Sequence, residues 1–240
     1  MHPLWNELRR AIPLIVHQNQ YVMNVTWTTI RVALVSTGCA LALGMPIALT
    51  IGLGRFRGRR VLHILANASL ALPPVLVGVW VLVFLVPHAP FGSLRYANTL
   101  TAVYIAQTVL ALPFMVALVP AAIQALPPGL LDQARAFGAS RRQLSMLALR
   151  EARIGVLVAV IAALASTLTE VAAVIIVGGN QVDIDQTLAS AIVEQIGNGT
   201  TTYALALGIV LLALVLVLMA VLTALQQFSG GIHLRFRTTS

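Results

Sequence analysis

The chain has 240 residues, of which 59% are hydrophobic and 9% charged, whereas about 25% of the residues in an average soluble domain carry a charge; this balance argues against a soluble enzyme. All 15 basic residues are arginines, and because a phosphate-binding loop of the GxxxxGKS/T type needs its lysine, the chain is not a P-loop ATPase by itself. The net charge of +8 comes from arginines that stand in short runs between apolar stretches, which indicates contact with a membrane surface and not with nucleic acid.

Five apolar stretches are long enough to cross a bilayer. A bilayer core about 30 Å thick requires about 20 apolar residues in helical form, and the runs between charges cover residues 27–53, 61–86, 99–125, 154–177 and 203–225. None of them shows the alternation of a membrane β-strand. Because backbone groups in lipid must be hydrogen-bonded within the protein, these lengths predict an all-α integral membrane protein with five transmembrane helices. We treat residues 1–240 as a single transmembrane domain.

The arginines predict the orientation of these helices. Eleven of the fifteen follow the first, third or fifth stretch: Arg55, Arg57, Arg59, Arg60, Arg135, Arg141, Arg142, Arg150, Arg153, Arg235 and Arg237. By the positive-inside rule, the N-terminus is outside and the C-terminus in the cytoplasm. Arg9 and Arg10 depart from this pattern, and we expect residues 1–24 to include a segment at the outer interface. The acids Asp183 and Asp185 predict a solvated loop between the fourth and fifth stretches.

Two adjacent prolines lie near the middle of the second stretch. Pro73 and Pro74 remove two backbone donors, and with Gly78 nearby they predict a break about halfway across the membrane. Irregular backbone at this depth is tolerated where it lines a water-filled path, so both prolines are assigned to a candidate pathway. The alternative is a harmless kink, because proline and glycine are common in membrane helices.

Two charged residues lie inside the predicted spans. Arg31 is about one helical turn below the outer end of the first span, and Glu170 is about 10 Å below the outer end of the fourth. A charge at this depth costs a few kcal/mol, so each side chain should face a partner or water. We expect Arg31 and Glu170 to lie near each other and to hold or gate a closed state of the pathway. The alternative for Arg31 is snorkelling beside Trp27 and Tyr21.

The segment 126–153, between the third and fourth spans, is too polar to cross the membrane and predicts two short helices. Its first apolar residues recur at helical spacing: Leu130, Ala134 and Phe137. Gly138 can supply the left-handed turn that ends the first helix, and Ser140 with Gln143 forms a capping box that starts the second. Two helices joined at a glycine are suited to a groove on a cytoplasmic partner. The alternative is a surface-lying pair that only connects two spans.

Part of this segment resembles a motif of a known family. Asp-Gln-Ala at residues 132–134, followed after three residues by Gly138, is similar to the EAAxxxG motif of permease subunits of ABC importers, whose short helix docks into the ATPase subunit. Aspartate replaces the glutamate of that motif and glutamine replaces its first alanine. The later Leu-Pro of the motif is replaced by Arg-Glu at residues 150–151.

Longer stretches resemble one branch of this family. LPPVLVG at residues 72–78, LREAR at 149–153 and TEVAAVIIVGGN at 169–180 look like the tungstate branch of the molybdate, tungstate and sulfate permeases. The resemblance covers nearly all of the chain after about its first 20 residues, and it implies the fold of a type I ABC importer permease.

The resemblance also implies partners. It predicts a homodimer of this chain bound to two ABC ATPase subunits, in the inner membrane of a bacterial or archaeal cell, with an extracytoplasmic binding protein that delivers an oxyanion. Tungstate is the expected substrate, with molybdate or sulfate as alternatives. The chain itself is then expected to be no enzyme and to need no cofactor or metal, because ATP and Mg²⁺ bind to the ATPase.

Individual residues receive roles in the same way. Those expected to couple the chain to the ATPase are Asp132, Gln133, Ala134, Gly138 and Ser140. Those expected along the pathway or its gate are Thr169, Glu170, Gly179 and Asn180, together with Pro73, Pro74 and Arg31. Two hypotheses from other classes stay open: an intramembrane enzyme that uses Glu170 as its acid or base, and a helical channel that needs no ATPase.

Overall fold

The computed structural model describes residues 3–230, with side chains from residue 5 to residue 227. Within this range all regular secondary structure is helical, which confirms the predicted all-α class. The helices are α1 (Pro3–Val16), α2 (Gln20–Leu53), α3 (Arg59–Ser69), α4 (Pro74–Leu85), α5 (Leu100–Gln124), α6 (Leu130–Ala136), α7 (Arg141–Glu151), α8 (Arg153–Thr169), α9 (Ala172–Gly178), α10 (Leu188–Gly197) and α11 (Thr201–Gly230). A short 3-10 turn, Gly92–Leu94, lies between α4 and α5.

Three of the five predicted spans are single helices. Helices α2, α5 and α11 are each long and apolar enough to cross a bilayer. The second predicted span is a bent pair, because α3 and α4 are inclined by 100° on either side of Pro73, which caps the start of α4. The break predicted from the adjacent prolines is therefore confirmed. Helices α7 and α8 are also inclined, by 73°, where the chain enters the fourth span.

The fourth predicted span, residues 154–177, is not one continuous helix. Helix α8 ends at Thr169 and α9 begins at Ala172, with Glu170 in an extended conformation between them (φ −75°, ψ 131°). The prediction was wrong because it relied on proline as the signal for a break. Here the Glu170 carboxylate stabilises the break, because its Oε1 accepts a hydrogen bond of 3.1 Å from the backbone N–H of Ala173. This satisfies one of the donors that the start of a helix leaves free.

Helices α2 and α5 pack side by side and run in the same direction. The Ser36 hydroxyl donates to the carbonyl oxygen of Tyr104 at 3.3 Å, and about two to three turns further along both helices Gly44 lies against Met115. A Cβ atom on Gly44 would lie 2.7 Å from the Cβ atom of Met115. Glycine is therefore required for this close approach, as is common between membrane helices.

Helix α8 packs against α5 in the opposite direction. Gly155, near the start of α8, lies directly on the methyl group of Ala122, near the end of α5. Ser166, near the end of α8, lines the same cavity as Pro113 in the middle of α5. Helices α2, α5 and α8 thus enclose one core, in which each contributes a fully buried alanine: Ala40, Ala111 and Ala163.

The N-terminal segment folds as a helix that is held to the bundle. The Thr202 hydroxyl, in the first turn of α11, donates to the carboxylate of Glu7 on α1, and Ala11 is fully buried. The chain then turns into α2, which begins earlier than the predicted span because Asn19 caps it through its side chain. This turn lies within the segment that the sequence assigns to the outer interface.

The outward faces of α3, α4 and α11 carry large apolar side chains. Leu65, Trp80 and Leu216 are each more than half exposed. In a chain that crosses a membrane, such faces suit contact with lipid tails or with another membrane helix.

Candidate functional site

The segment 126–153 forms the predicted pair of short helices, α6 and α7. At their joint Gly138 has φ +81°, and the N–H of Ala139 donates to the carbonyl oxygen of Ala134 at 3.0 Å. A Cβ atom on Gly138 would meet no atom within 4 Å, so the backbone conformation and not the available space selects glycine here. The predicted glycine turn is confirmed.

The second helix of the pair starts with the predicted capping box. The N–H of Gln143 donates to the Ser140 hydroxyl oxygen at 3.4 Å, and the N–H of Ser140 donates to the side-chain oxygen of Gln143 at 2.7 Å. Leu144 and Ala148 bury the inner face of α7. Phe137, at the joint, is 91% exposed. The pair therefore has a locally determined shape and presents an aromatic side chain to solvent.

Asp132 links α6 to the C-terminal end of α2. Its Oδ1 lies 2.6 Å from Nη2 of Arg55 and 2.6 Å from Nη1 of Arg135. Arg135 also donates from Nη2 to the carbonyl oxygen of Leu53 at 3.1 Å, one of the carbonyl groups that the end of a helix leaves free. The carboxylate that the motif assigns to docking thus already contacts two cations of its own chain.

Arg59 completes the end of α2. Its guanidinium donates to the carbonyl oxygens of Ile51 and Gly52, both at 2.8 Å, and a cation at this position also interacts favourably with the helix dipole. Arg55 and Asp132 are 77 residues apart. No local pattern could have predicted that contact, whereas the acidic and basic side chains of Asp132 and Arg135, three residues apart on one helix, were a visible signal.

The other residues expected to dock are accessible. Gln133, Gly138 and Ser140 are exposed, and Ala134 is half-buried. The structure brings these residues together with Asp132 on one continuous segment, at the end of the bundle where α2 and α5 finish. Their role in docking stays a prediction.

A cavity lies at the break between α3 and α4. It has a volume of about 240 Å³, and its wall includes Pro73, Pro74, Pro113 and Ser166. The extended residue Pro73 (φ −64°, ψ 124°) interrupts the helix beside it. The predicted break thus borders open space inside the bundle, which is the setting in which irregular backbone is tolerated at membrane depth.

Arg31 and Glu170 lie in different surroundings. The guanidinium of Arg31, an exposed residue, lies 5.6 Å from the centroid of the Trp27 ring, a cation–π distance. The ion pairs found among residues 5–227 are Arg10–Glu7, Arg55–Asp132 and Arg135–Asp132. Arg31 and Glu170 thus form no direct ion pair among residues 5–227 of one chain, because the N–H of Ala173 donates to the carboxylate and the long arginine side chain reaches back over Trp27. Their role at a gate stays a prediction.

The four residues taken from the third matching stretch lie at the two ends of α9. Thr169 and Glu170 precede this helix, whereas Gly179 and Asn180 follow it, about 10 Å further along at 1.5 Å per residue. The Thr169 hydroxyl donates to its own helix, at the carbonyl oxygen of Ala165, 3.0 Å away. The structure therefore does not bring these four residues into one site.

The loop between α9 and α10 is fastened by amide–carboxylate hydrogen bonds. Gly179 (φ +89°) and Asn180 (φ +56°) turn the chain out of α9. The side-chain amides of Asn180 and Gln186 both donate to Oε2 of Glu194 on α10. Gly179 and Asn180 thus shape this loop, and their place on a pathway stays a prediction.

Asp185 is the buried acid of this loop. It is 0% exposed, and its Oδ1 accepts a hydrogen bond of 2.6 Å from the N–H of Gln181, whereas Asp183 is exposed and accepts from Asn24 at 2.8 Å. The expectation of a solvated pair is wrong for Asp185, because the loop folds back over it. Burial raises the pKa of the Asp185 carboxyl above its usual value. Across residues 3–230, no three His, Cys, Asp or Glu side chains stand together as metal ligands do.

Comparison with known proteins identifies related chains. The model of the family described as binding-protein-dependent transport system inner membrane component matches residues 44–229. A probable anion ABC transporter permease protein of Haloferax volcanii is 36% identical over 201 residues, which cover 82% of this chain and 87% of that one. The tungstate uptake system permease protein TupB of Peptoclostridium acidaminophilum is 27% identical over 219 residues, which cover 91% of this chain and 96% of that one.

A solved structure shares the fold. A chain of the MetNI methionine ABC transporter, in an inward-facing conformation, superposes with a TM-score of 0.67 over 86% of this chain and 94% of that chain, at 20% sequence identity. At this identity the likeness shows the fold alone. It confirms the predicted arrangement of membrane helices as that of an ABC importer permease.

Proposed function

Since the chain belongs to the family of binding-protein-dependent transport system inner membrane components, we propose that it is the permease subunit of an ATP-driven ABC importer that translocates an oxyanion, with tungstate as the first candidate. The near full-length likeness to relatives named for anion transport and for tungstate uptake carries this proposal. As a member of this family the chain is an inner-membrane protein with several membrane-spanning helices.

The energy for transport comes from a partner in this proposal. The chain contains no lysine, so it has no P-loop in which to bind the phosphates of ATP. Two ATPase subunits then bind the nucleotide and Mg²⁺, and an extracytoplasmic binding protein presents the oxyanion. The permease contributes the path and the surface that the ATPase moves.

The pair α6–α7 is that surface. The Gly138 turn and the capping box determine its shape locally, and the exposed ring of Phe137 offers an apolar anchor for a groove on the ATPase. Beside the pair lies a cavity of about 490 Å³ whose wall includes Arg55 and Arg141, and this wall would accept acidic side chains of the partner.

Two copies of the chain form the path. The exposed apolar faces of α3, α4 and α11 suit contact with a second copy as well as with lipid, and pairing about a two-fold axis encloses more space than five spans can alone. Motion of the docked pairs then switches the bundle between inward-open and outward-open packings, with the breaks at Pro73 and Glu170 as the points of bending.

Reconstitution tests the proposal. The chain is purified with its ATPase and binding protein, inserted into proteoliposomes and supplied with radiolabelled tungstate. We expect uptake that requires ATP and the binding protein, and that excess unlabelled tungstate suppresses more than molybdate or sulfate do. Uptake at full rate without nucleotide would instead identify a channel. A chemical reaction that survives removal of the ATPase and is lost in Glu170→Gln would identify an intramembrane enzyme.

A further inference from the structure

A layer of buried polar side chains crosses the core one helical turn above the alanine contact. Ala40, Ala111 and Ala163 are fully buried in one cluster on α2, α5 and α8. One turn along each helix, on the side toward Glu170, stand three polar residues, and we call them the polar layer: Thr37 on α2, Gln107 on α5 and Thr167 on α8. They are 3%, 0% and 3% exposed. Because α2 and α5 run parallel and α8 antiparallel to them, the three polar side chains lie within about one helical turn of the same depth.

Most of the polar groups in this layer have no hydrogen-bond partner among the residues that the structure describes. The Thr167 hydroxyl donates to the carbonyl oxygen of Leu164 at 2.9 Å. The Thr37 hydroxyl oxygen and both amide atoms of Gln107 are buried without a hydrogen bond. An unpaired amide in an apolar interior costs free energy, and buried side chains are normally hydrogen-bonded. Packing alone would favour leucine or methionine at this position.

The polar layer lies next to two features of the candidate path. One is the cavity at the α3–α4 break, whose wall includes Leu110, one turn from Gln107, and Ser166, the neighbour of Thr167. The other is the break at Glu170, three residues beyond Thr167. Along α8, Thr167 therefore lies between a residue of the cavity wall and the break at Glu170.

We propose that the Gln107 amide, with the Thr37 and Thr167 hydroxyls, is a contact site for the oxyanion, closed in this structure and opened when α8 and α9 bend at Glu170. The inference rests on the proposed function and deepens it. An oxyanion has only acceptor oxygens, whereas the Gln107 amide NH₂ and the Thr37 hydroxyl are donors that are unpaired in this packing. The Thr167 hydroxyl can join them when it releases the carbonyl oxygen of Leu164.

The polar layer suits an oxyanion that passes through the membrane, and not one that stays bound. None of its three side chains is charged, and a site that an ion must leave as readily as it enters needs contacts of moderate strength. The carboxylate of Glu170, which would repel an anion, is engaged by the backbone N–H of Ala173. The free energy lost in the closed layer is regained when the oxyanion supplies acceptors, so the two packings differ less in free energy than they would with an apolar layer.

The test compares Gln107→Leu with Gln226→Leu in the reconstituted transporter. The second variant makes the same change at an exposed position near the end of α11. For Gln107→Leu we expect tungstate uptake to fall by about tenfold or more, which corresponds to the loss of one good hydrogen bond to a charged group. Stimulation of the ATPase by the loaded binding protein and the midpoint of thermal unfolding should stay at or above the wild-type values. Gln226→Leu should leave all three unchanged.

Three results would overturn the inference. One is uptake by Gln107→Leu within about twofold of the wild type, and another is a parallel fall of uptake, ATPase stimulation and thermal stability, which a purely structural role would cause. If Gln107→Leu does not fold, Thr37→Val replaces it in the test, because valine keeps the shape of threonine and removes the hydroxyl. Uptake that is reduced about threefold, with intact ATPase stimulation, would support the site. Unchanged uptake in this variant would reject it. A wild-type transporter that accumulates no oxyanion would reject the proposed function itself.

Discussion

The helix pair α6–α7 and the polar layer of α2, α5 and α8 keep their polar groups in opposite surroundings. In the pair, the side chain of Asp132 is 58% exposed and has two arginine partners. In the layer, Gln107 is fully buried and its amide has none. Exposed ion pairs contribute little to stability and are screened by salt, whereas a buried unpaired amide lowers stability directly.

This difference indicates that the helix pair and the polar layer have different functions. The pair α6–α7 satisfies its turns and caps within a few residues, so it can keep one shape while it moves as a unit. The polar layer is unsatisfied in the packing seen here, so it favours a second packing in which its donors find acceptors. We therefore expect variants in the pair to lose ATPase stimulation and transport together, and variants near the layer to lose transport first.

The largest effect is expected at the joint of the pair. Gly138→Val places a β-branched residue at φ +81°, a backbone region that such residues almost never adopt. We expect the α6–α7 turn to be lost, and with it both the ATPase stimulation and the uptake, while the protein still inserts into the membrane.

Gly138→Asn is the matched control, because asparagine tolerates the left-handed conformation and no atom lies within 4 Å of the added Cβ. ATPase assays, uptake and membrane fractionation measure the three properties. Normal stimulation in the valine variant would show that the pair does not carry the coupling.

A smaller effect is expected at the break between α8 and α9. Glu170→Leu removes the acceptor of the Ala173 N–H, and a buried donor left unpaired costs about 1–3 kcal/mol. We expect uptake to fall by about tenfold while the ATPase still responds to the loaded binding protein. Glu170→Gln keeps an acceptor oxygen and should retain most of the uptake. Equal losses in the two variants would mean that the charge matters and not the hydrogen bond.

The contact between α6 and α2 should contribute less. Asp132→Asn removes both ion pairs, and because exposed pairs contribute about 0–1 kcal/mol each, we expect ATPase stimulation to fall only about threefold. High salt should reproduce part of this loss in the wild type. Glu151→Gln, at another exposed acid of the segment, should change nothing. Salt-independent stimulation in the wild type would argue that these pairs do not hold the segment.

The smallest effect is a dependence of stability on pH. Because burial raises the pKa of the Asp185 carboxyl in the folded protein, its contribution to stability is fully present below its usual pKa of about 4 and is lost as the pH rises through the raised pKa. Asp185→Asn stays neutral, so it should unfold at a higher temperature than the wild type at neutral pH and show a flatter pH profile. Asp183→Asn, at the exposed neighbour, should behave as the wild type does. A wild-type stability that rises with pH over this range would contradict the assignment.

The two interrupted spans show which helix breaks a local sequence pattern can predict. The break at Pro73 and Pro74 could be predicted because proline removes a backbone donor wherever it stands. The break at Glu170 could not, because glutamate in an apolar stretch indicates only that a partner is needed. That partner is the N–H of Ala173, and the interaction exists only because the chain starts a new helix there.

The same limit applies to the candidate sites. Gly138 and the capping box of Ser140 follow from residues within one turn of each other, and both predictions are confirmed. Two other contacts depended on how distant segments meet. They are the ion pair of Asp132 with the loop after α2 and the expected ion pair of Arg31 with Glu170, which is not formed. Gln107 was overlooked, although an amide inside an apolar stretch was itself a signal.

By itself, the amino-acid sequence determined the helical class, the apolar stretches that span the membrane, the proline break and the glycine-jointed pair, because each of these follows from interactions within a bilayer thickness or a single helical turn. Only the tertiary structure decided that α2 and α5 run in parallel with α8 antiparallel to them, and that the buried residues Thr37, Gln107 and Thr167 therefore lie within about one helical turn of the same depth. The physical reason is that the register between packed helices is set by side-chain contacts along their whole length, such as Gly44 on Met115 and Gly155 on Ala122, and that register selects which polar groups find partners and which stay unpaired.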